Sequence, residues 1–185
     1  VFQGQAATNP VGASIATVVS GERNNFVNCQ FSGIGHSELD DATSRSLLVS
    51  GGENTFTSSY LGLDTVIRAT ATAEVEVSGG ARNIFQDCII NSYTSLNTFK
   101  GLLCGSPDRF VLLKDTIINA VQNIASAVAP TGAIDAGSIN GSVLMRGGGV
   151  FGYTNVSTAD AARILVQAPA GGLVDMGLGT AVDIA

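Results

Sequence analysis

The chain has 185 residues, 45% of them apolar and 13% charged, with nine Lys and Arg against fifteen Asp and Glu for a net charge of −6. So apolar a chain is not disordered, and it is long enough for one domain with its own core. No apolar run approaches the ~20 residues of a membrane-spanning helix. The basic residues are scattered singly rather than clustered as a nucleic-acid footprint requires, so neither a membrane nor a nucleic acid is expected as a partner.

The chain opens at Val1-Phe2, without an initiator Met or a signal-peptide pattern, and reads as a processed product or a fragment. From Val19 onward it repeats. Val19-Ser20-Gly21-Glu22-Arg23-Asn24-Asn25-Phe26 aligns with Val49-Ser50-Gly51-Gly52-Glu53-Asn54-Thr55-Phe56. With one extra residue it aligns again with Val77-Ser78-Gly79-Gly80-Ala81-Arg82-Asn83-Ile84-Phe85. The pattern Asn-x-Phe-x-x-(Cys/Ser)-x-(Phe/Leu/Ile) recurs at Asn24/Phe26/Cys29/Phe31, Asn54/Phe56/Ser59/Leu61 and Asn83/Phe85/Cys88/Ile90. A fixed period of just under thirty residues means stacked units, each burying its apolar side against the next.

Within the second unit, 66–77 alternates for a dozen residues, with Ile67, Ala69, Ala71, Ala73, Val75 and Val77 on one side. Arg68, Thr70, Thr72, Glu74 and Glu76 fall on the other, which predicts one strand with a buried and a wet face. This strand stands where a leucine-rich repeat would place its return helix. The Asn of that repeat is also missing, because Ile34, Asp64, Tyr93 and Val121 occupy its position. A β-helix, whose coils contribute strands to parallel sheets, fits better. The fourth coil maps Asp115-Thr116-Ile117-Ile118-Asn119 onto Asp87-Cys88-Ile89-Ile90-Asn91, with Leu113 for Phe85 and Val111 for Asn83. Residues 120–136 are Ala-rich and read as a short helix or an excursion loop. A fifth coil is expected around Ser142-Val143-Leu144-Met145. The tail offers a helical turn capped by Thr158, a strand at 163–166, and Gly turns beyond. Residues 1–149 are therefore assigned to the coils and 150–185 to a cap or assembly arm, since a repeat stack needs a non-repeating end.

Cys29 and Cys88 share a register two coils apart, or roughly 9.6 Å at strand spacing, and Cys104 lies outside it. That exceeds the ~7 Å Cα limit for a disulfide, so free thiols and synthesis in a reducing cytoplasm are expected.

Asn24, Asn54 and Asn83 form the most specific column. Asn tolerates left-handed backbone at a turn, and one amide per coil can donate to and accept from the coils on either side. A surface row of ligand-binding amides is the functional alternative. The Phe that follows two residues later each time favours the structural role. Phe26, Phe56, Phe85 and Leu113 are the matching core column. The densest ionisable loop holds His36, Glu38, Asp40 and Asp41 and is the alternative site, as an acid/base pair or a cation site. It lacks calcium-loop and zinc spacings, and a solvated connection is the simpler reading. The glycines after Arg146 lack the Gly-Lys-Thr element of a phosphate cradle, and no Gly-x-Ser-x-Gly elbow occurs. No catalytic, cofactor-binding or metal residues are expected.

These coils, their Val-Ser-Gly-Gly-x-x-Asn turns and the stretch Leu61-Gly62-Leu63-Asp64-Thr65-Val66-Ile67-Arg68 resemble the right-handed parallel β-helix, pectin-lyase-like group. More narrowly, they resemble β-helical virion proteins of tailed bacteriophages, of capsid, decoration (cement) or tailspike type. The resemblance covers about residues 15–120. It implies an all-β solenoid of about five coils with a C-terminal strand and Gly-turn cap. The function implied is a structural particle protein on the capsid exterior, acting with capsid proteins and copies of itself, often as a trimer. Glycan-cleaving members of the group imply the alternative, a polysaccharide lyase, hydrolase or tailspike fragment using His36, Glu38, Asp40 or Asp41. A third reading is an adhesin passenger segment. With no Trp, three Tyr and no carboxylates paired in the coil register, a sugar groove has little to build on.

Overall fold

Each winding of the chain divides into three short strands, and every strand pairs in parallel with those one winding before and after it. The computed structural model describes residues 2–3, 14–105, 110–122, 129–136, 142–157 and 164–167. The strands in chain order are β1 (Phe2–Gln3), β2 (Val18–Val19), β3 (Asn25–Val27), β4 (Gln30–Gly33), β5 (Leu47–Val49) and β6 (Thr55–Thr57). Next come β7 (Tyr60–Arg68), β8 (Ala73–Val77), β9 (Asn83–Gln86), β10 (Ile89–Thr94), β11 (Lys100–Cys104) and β12 (Phe110–Lys114). The last six are β13 (Ile117–Gln122), β14 (Gly132–Asp135), β15 (Ser142–Arg146), β16 (Gly149–Phe151), β17 (Asn155–Ser157) and β18 (Ile164–Gln167). They form three six-stranded sheets: β1-β4-β7-β10-β13-β16, β2-β5-β8-β11-β14-β17 in one order or its reverse, and β3-β6-β9-β12-β15-β18 likewise. The architecture is a parallel β-helix. Its five successive triplets, β2–β4 to β14–β16, are the coils, and the coil expected at Ser142–Met145 is β15 with its neighbours.

Two of the three corners repeat with little variation, which is why the sequence repeats. Between the third sheet and the first, the chain turns in two residues each time: 28–29, 58–59, 87–88, 115–116 and 147–148. The first of each pair is left-handed, with φ of 54° at Asn28, 49° at Ser58, 52° at Asp87, 48° at Asp115 and 74° at Gly147. In the second, the side chain closes the turn onto the carbonyl two residues back. Cys29 donates to Val27 at 3.5 Å, Ser59 to Thr57 at 2.9 Å, Cys88 to Gln86 at 3.2 Å and Thr116 to Lys114 at 3.1 Å. A thiol or hydroxyl serves equally, hence the Cys/Ser/Cys/Thr column. All three cysteines are free.

Between the second sheet and the third runs the Ser-Gly-x-x-Asn corner. The left-handed residues there are Arg23, Glu53 and Arg82, with φ of 60°, 59° and 53°, each one residue before the column Asn. That corrects the expectation that Asn itself turns the chain. Gly80 also has positive φ, and a Cβ there would collide with the backbone of Gly51 in the coil below. The third corner, from the first sheet to the second, varies in length: 34–46, 69–72, 95–99 and 152–154.

Inside the tube the aromatic column stacks as expected. Phe26 lies over Phe56 with ring centres 4.9 Å apart at 11°, and Phe56 over Phe85 at 4.8 Å and 7°. These separations are the strand spacing itself. Phe31 packs edge-on against both Phe26 and Phe56 at 5.7 Å. Leu113 continues the file opposite Phe85, and Met145 follows opposite Leu113.

Some expectations are revised, and others fall on residues outside those described. The dozen alternating residues are not one strand, because the chain bends at 69–72 between β7 and β8. β7 also bulges at 64–66, as Leu63 faces Ser92 while Ile67 faces Tyr93. The boundary placed after residue 149 falls within β16, and β17 and β18 extend the second and third sheets. The helical turn expected after Thr158, the Gly turns beyond 167 and the middle of the Ala-rich stretch lie outside the described residues.

Candidate functional site: a buried charge cluster at the variable corner

The Asn column is a ladder of amides that joins three coils. Asn54 Oδ1 accepts from the backbone N–H of Asn24 at 3.0 Å and from its Nδ2 at 2.9 Å. Asn83 Oδ1 accepts from Asn54 N–H at 3.0 Å. The Nδ2 groups of Asn54 and Asn83 donate to the carbonyls of Gly21 and Gly51, at 2.9 and 3.0 Å. Asn54 and Asn83 are fully buried, so their amides face no ligand. At coil four, Val111 lies opposite Asn83 and the ladder stops.

The loop that carries His36, Glu38, Asp40 and Asp41 does not gather them. A 3-10 turn, Ser37–Leu39, follows His36, whose Nδ1 accepts from the backbone N–H of Glu38 at 3.2 Å. His36 and Glu38 are exposed. Asp41 Oδ1 accepts from Thr43 N–H at 3.2 Å. Asp40 alone turns inward, its side chain 2% exposed. There Oδ1 accepts from Arg68 Nε at 2.8 Å, while Oδ2 accepts from the amides of Ala69 and Thr70 at 2.6 and 2.7 Å. No acid/base pair forms among these four residues.

What does form is a buried cluster drawn from three segments of the variable corner. Arg68, at the end of β7, donates through Nε to Asp40, through Nη1 to Glu74 at 2.9 Å and through Nη2 to the carbonyl of Ser44 at 2.7 Å. Its guanidinium lies 5.8 Å from the ring centre of Phe99, a cation–π arrangement. Glu74, on β8, also accepts a hydrogen bond from Ser46 Oγ through the same Oε1. Glu74 Oε2 is buried without a partner. Burial pushes the Glu74 carboxyl up; Asp40 adds to the push, while Arg68, Ser46 and Arg45 oppose it. Arg45, nearly buried, pairs with Glu76 at 2.9 Å and donates to Thr72 Oγ1 at 2.9 Å.

Arg68 and Glu74 were expected on the wet face of one long strand. The bend at 69–72 carries them inward, and the preceding loop closes over them. One signal was present in the sequence: a coil of just under thirty residues cannot hold a twelve-residue strand, about 40 Å long, beside two others and their corners.

Among the described residues, no three His, Cys, Asp or Glu side chains gather so as to hold a metal ion. No helix there is long and apolar enough to cross a membrane. A shallow, open depression lies elsewhere, lined by Asn28, Cys29, Gln30, Ser58 and Tyr60. The cluster is thus a set of charges that ties loop 37–46 to β7 and β8. No family model matches the chain, and neither does a curated protein or a solved structure.

Proposed function

We propose that this chain is a structural component of a bacteriophage virion, a capsid or capsid-decoration protein acting by packing and assembly rather than by catalysis. The observation that carries this reading is the use of the column residues. The amides of Asn24, Asn54 and Asn83 and the side chains of Cys29, Ser59, Cys88 and Thr116 all bond within the coil stack. A stack held by backbone pairing along its whole axis, with each turn closed by its own side chains, suits a part that bears load.

The first sheet supports the same role. Ile89 on β10, Val121 on β13 and Phe151 on β16 stand on three adjacent strands, and Phe151 is 57% exposed. Exposed apolar side chains on neighbouring strands are what subunit contacts cover. The partners proposed are further copies of the chain and the capsid proteins beneath. Three free thiols fit synthesis in a reducing host cytoplasm. The resemblance of the Asn-x-Phe-x-x-Cys coils to phage β-helical proteins is what favours a virion among structural settings.

The test is assembly. The purified chain should be oligomeric by light scattering and should sediment with phage particles, whereas a Val121→Asp/Phe151→Asp variant with an unchanged circular dichroism spectrum should do neither. A wild-type chain that stays monomeric and never sediments with particles would remove the proposal.

A further inference from the structure

The buried cluster holds one carboxylate more than its arginines can match. Arg68 faces Asp40, and Arg45 faces Glu76. Asp40 is well satisfied as an anion, since Arg68 and the amides of Ala69, Thr70 and Ala71 all donate to it. Glu76 keeps contact with water, its side chain 22% exposed. Glu74 is the supernumerary group. It is 1% exposed and shares Arg68 with Asp40, and both of its hydrogen bonds fall on a single oxygen. The other oxygen has no partner. An anionic oxygen buried without a donor costs far more than a neutral carboxyl in the same place, and a protonated acid still accepts from Arg68 and Ser46 through its carbonyl oxygen.

We propose that Glu74 is a proton-binding site: it keeps its proton in the folded protein, and loss of that proton releases loop 37–46 from the coil stack. The groups that face Glu74 are Arg68 from β7, Asp40, Arg45 and Ser46 from the loop, and Tyr153 from the turn before β17. Glu76 lies two residues along β8, paired with Arg45. On the neighbouring strand β11, Lys100 and Leu102 pair with Ala73 and Val75 on either side of Glu74, and the Lys100 ammonium donates to the Thr98 carbonyl at 2.8 Å. Removing the proton sets three carboxylates against two guanidinium groups inside the corner. The loop is the element that can yield, because two of the contacts that hold it, Asp40 to Arg68 and Ser46 to Glu74, belong to the cluster.

The sign follows from the direction of the shift. The folded state holds the Glu74 proton more tightly than the unfolded chain, so the stabilisation is complete at low pH and is lost as pH rises through the folded pKa. The isosteric Glu74→Gln variant cannot lose a proton. Between the ordinary glutamate value near ~4.3 and the folded value, the unfolding constant of the wild type relative to Glu74→Gln should rise about tenfold per pH unit. Hydrogen exchange gives a local readout. The amides of Ala69, Thr70 and Ala71, which donate to Asp40, should lose protection with rising pH in the wild type beyond their intrinsic rate change, and hold it in Glu74→Gln.

A third measurement needs no variant. The 13C shift of the Glu74 side-chain carboxyl, assigned by through-bond correlation and followed against pH, should report a protonated acid well above the usual range. A carboxyl that titrates at or below the ordinary glutamate value would overturn the proposal. So would parallel stability profiles for wild type and Glu74→Gln.

Discussion

Replacing Asn83 by Ala tests the amide ladder most directly. The substitution removes two hydrogen bonds, one accepted from Asn54 N–H at 3.0 Å and one donated to Gly51 C=O at 3.0 Å. Both partner groups belong to buried residues, so neither can turn to water once the amide is gone. A buried backbone group left without a partner costs ~1–3 kcal/mol, which puts the whole change for two such groups at about 2–6 kcal/mol. Asn24→Ala is the internal control. Its side chain contributes one bond, to Asn54 Oδ1 at 2.9 Å, and the residue is exposed, so about 1 kcal/mol or less should be lost. Urea unfolding of the wild type and the two variants, analysed with a common slope, reads the difference. Equal losses for Asn83→Ala and Asn24→Ala, or a loss near zero for Asn83→Ala, would refute the claim that the column holds coil to coil. Asn83→Val should be no milder than Asn83→Ala, because an apolar side chain leaves the same two groups unpartnered.

Two further outcomes follow from the core and the thiols. Phe56→Ala removes the middle ring of a three-ring stack and should cost about 3–5 kcal/mol in urea unfolding, more than Phe26→Ala at the half-buried end of the file. In the native protein at neutral pH, iodoacetamide should label Cys29 and spare Cys104 and Cys88, as read by peptide mass spectrometry. Burial pushes the Cys88 thiol up to about 11 and drives Cys104 up as well, so labelling of either should wait for unfolding or strongly alkaline pH.

The columns were legible because they are local and repeated. Asn24, Asn54 and Asn83 recur at the same offset from Phe26, Phe56 and Phe85, and any winding of that length brings like residues into contact. The parallel solenoid, the core file through Leu113 and the free state of Cys29 and Cys88 all follow from that period. The left-handed residues were misplaced by one position, onto the Asn instead of Arg23, Glu53 and Arg82. A side chain that bonds to the coil below must keep its own backbone close to the strand, which leaves the preceding residue to make the turn.

The variable corner was not legible, for the opposite reason. Asp40, Arg68 and Glu74 occur once each, and 28 residues separate Asp40 from Arg68. Nothing periodic marks them. Alternation assigned Arg68 and Glu74 to a solvated face, as local pattern must when the chain is taken as straight. Only the bend at 69–72, together with the loop that closes over it, turns charged side chains into interior ones. Sequence by itself therefore determined the winding, since a repeat imposes the same contact at every level. Tertiary structure alone decided which charges lose their water, because burial depends on what distant chain comes to lie above a residue.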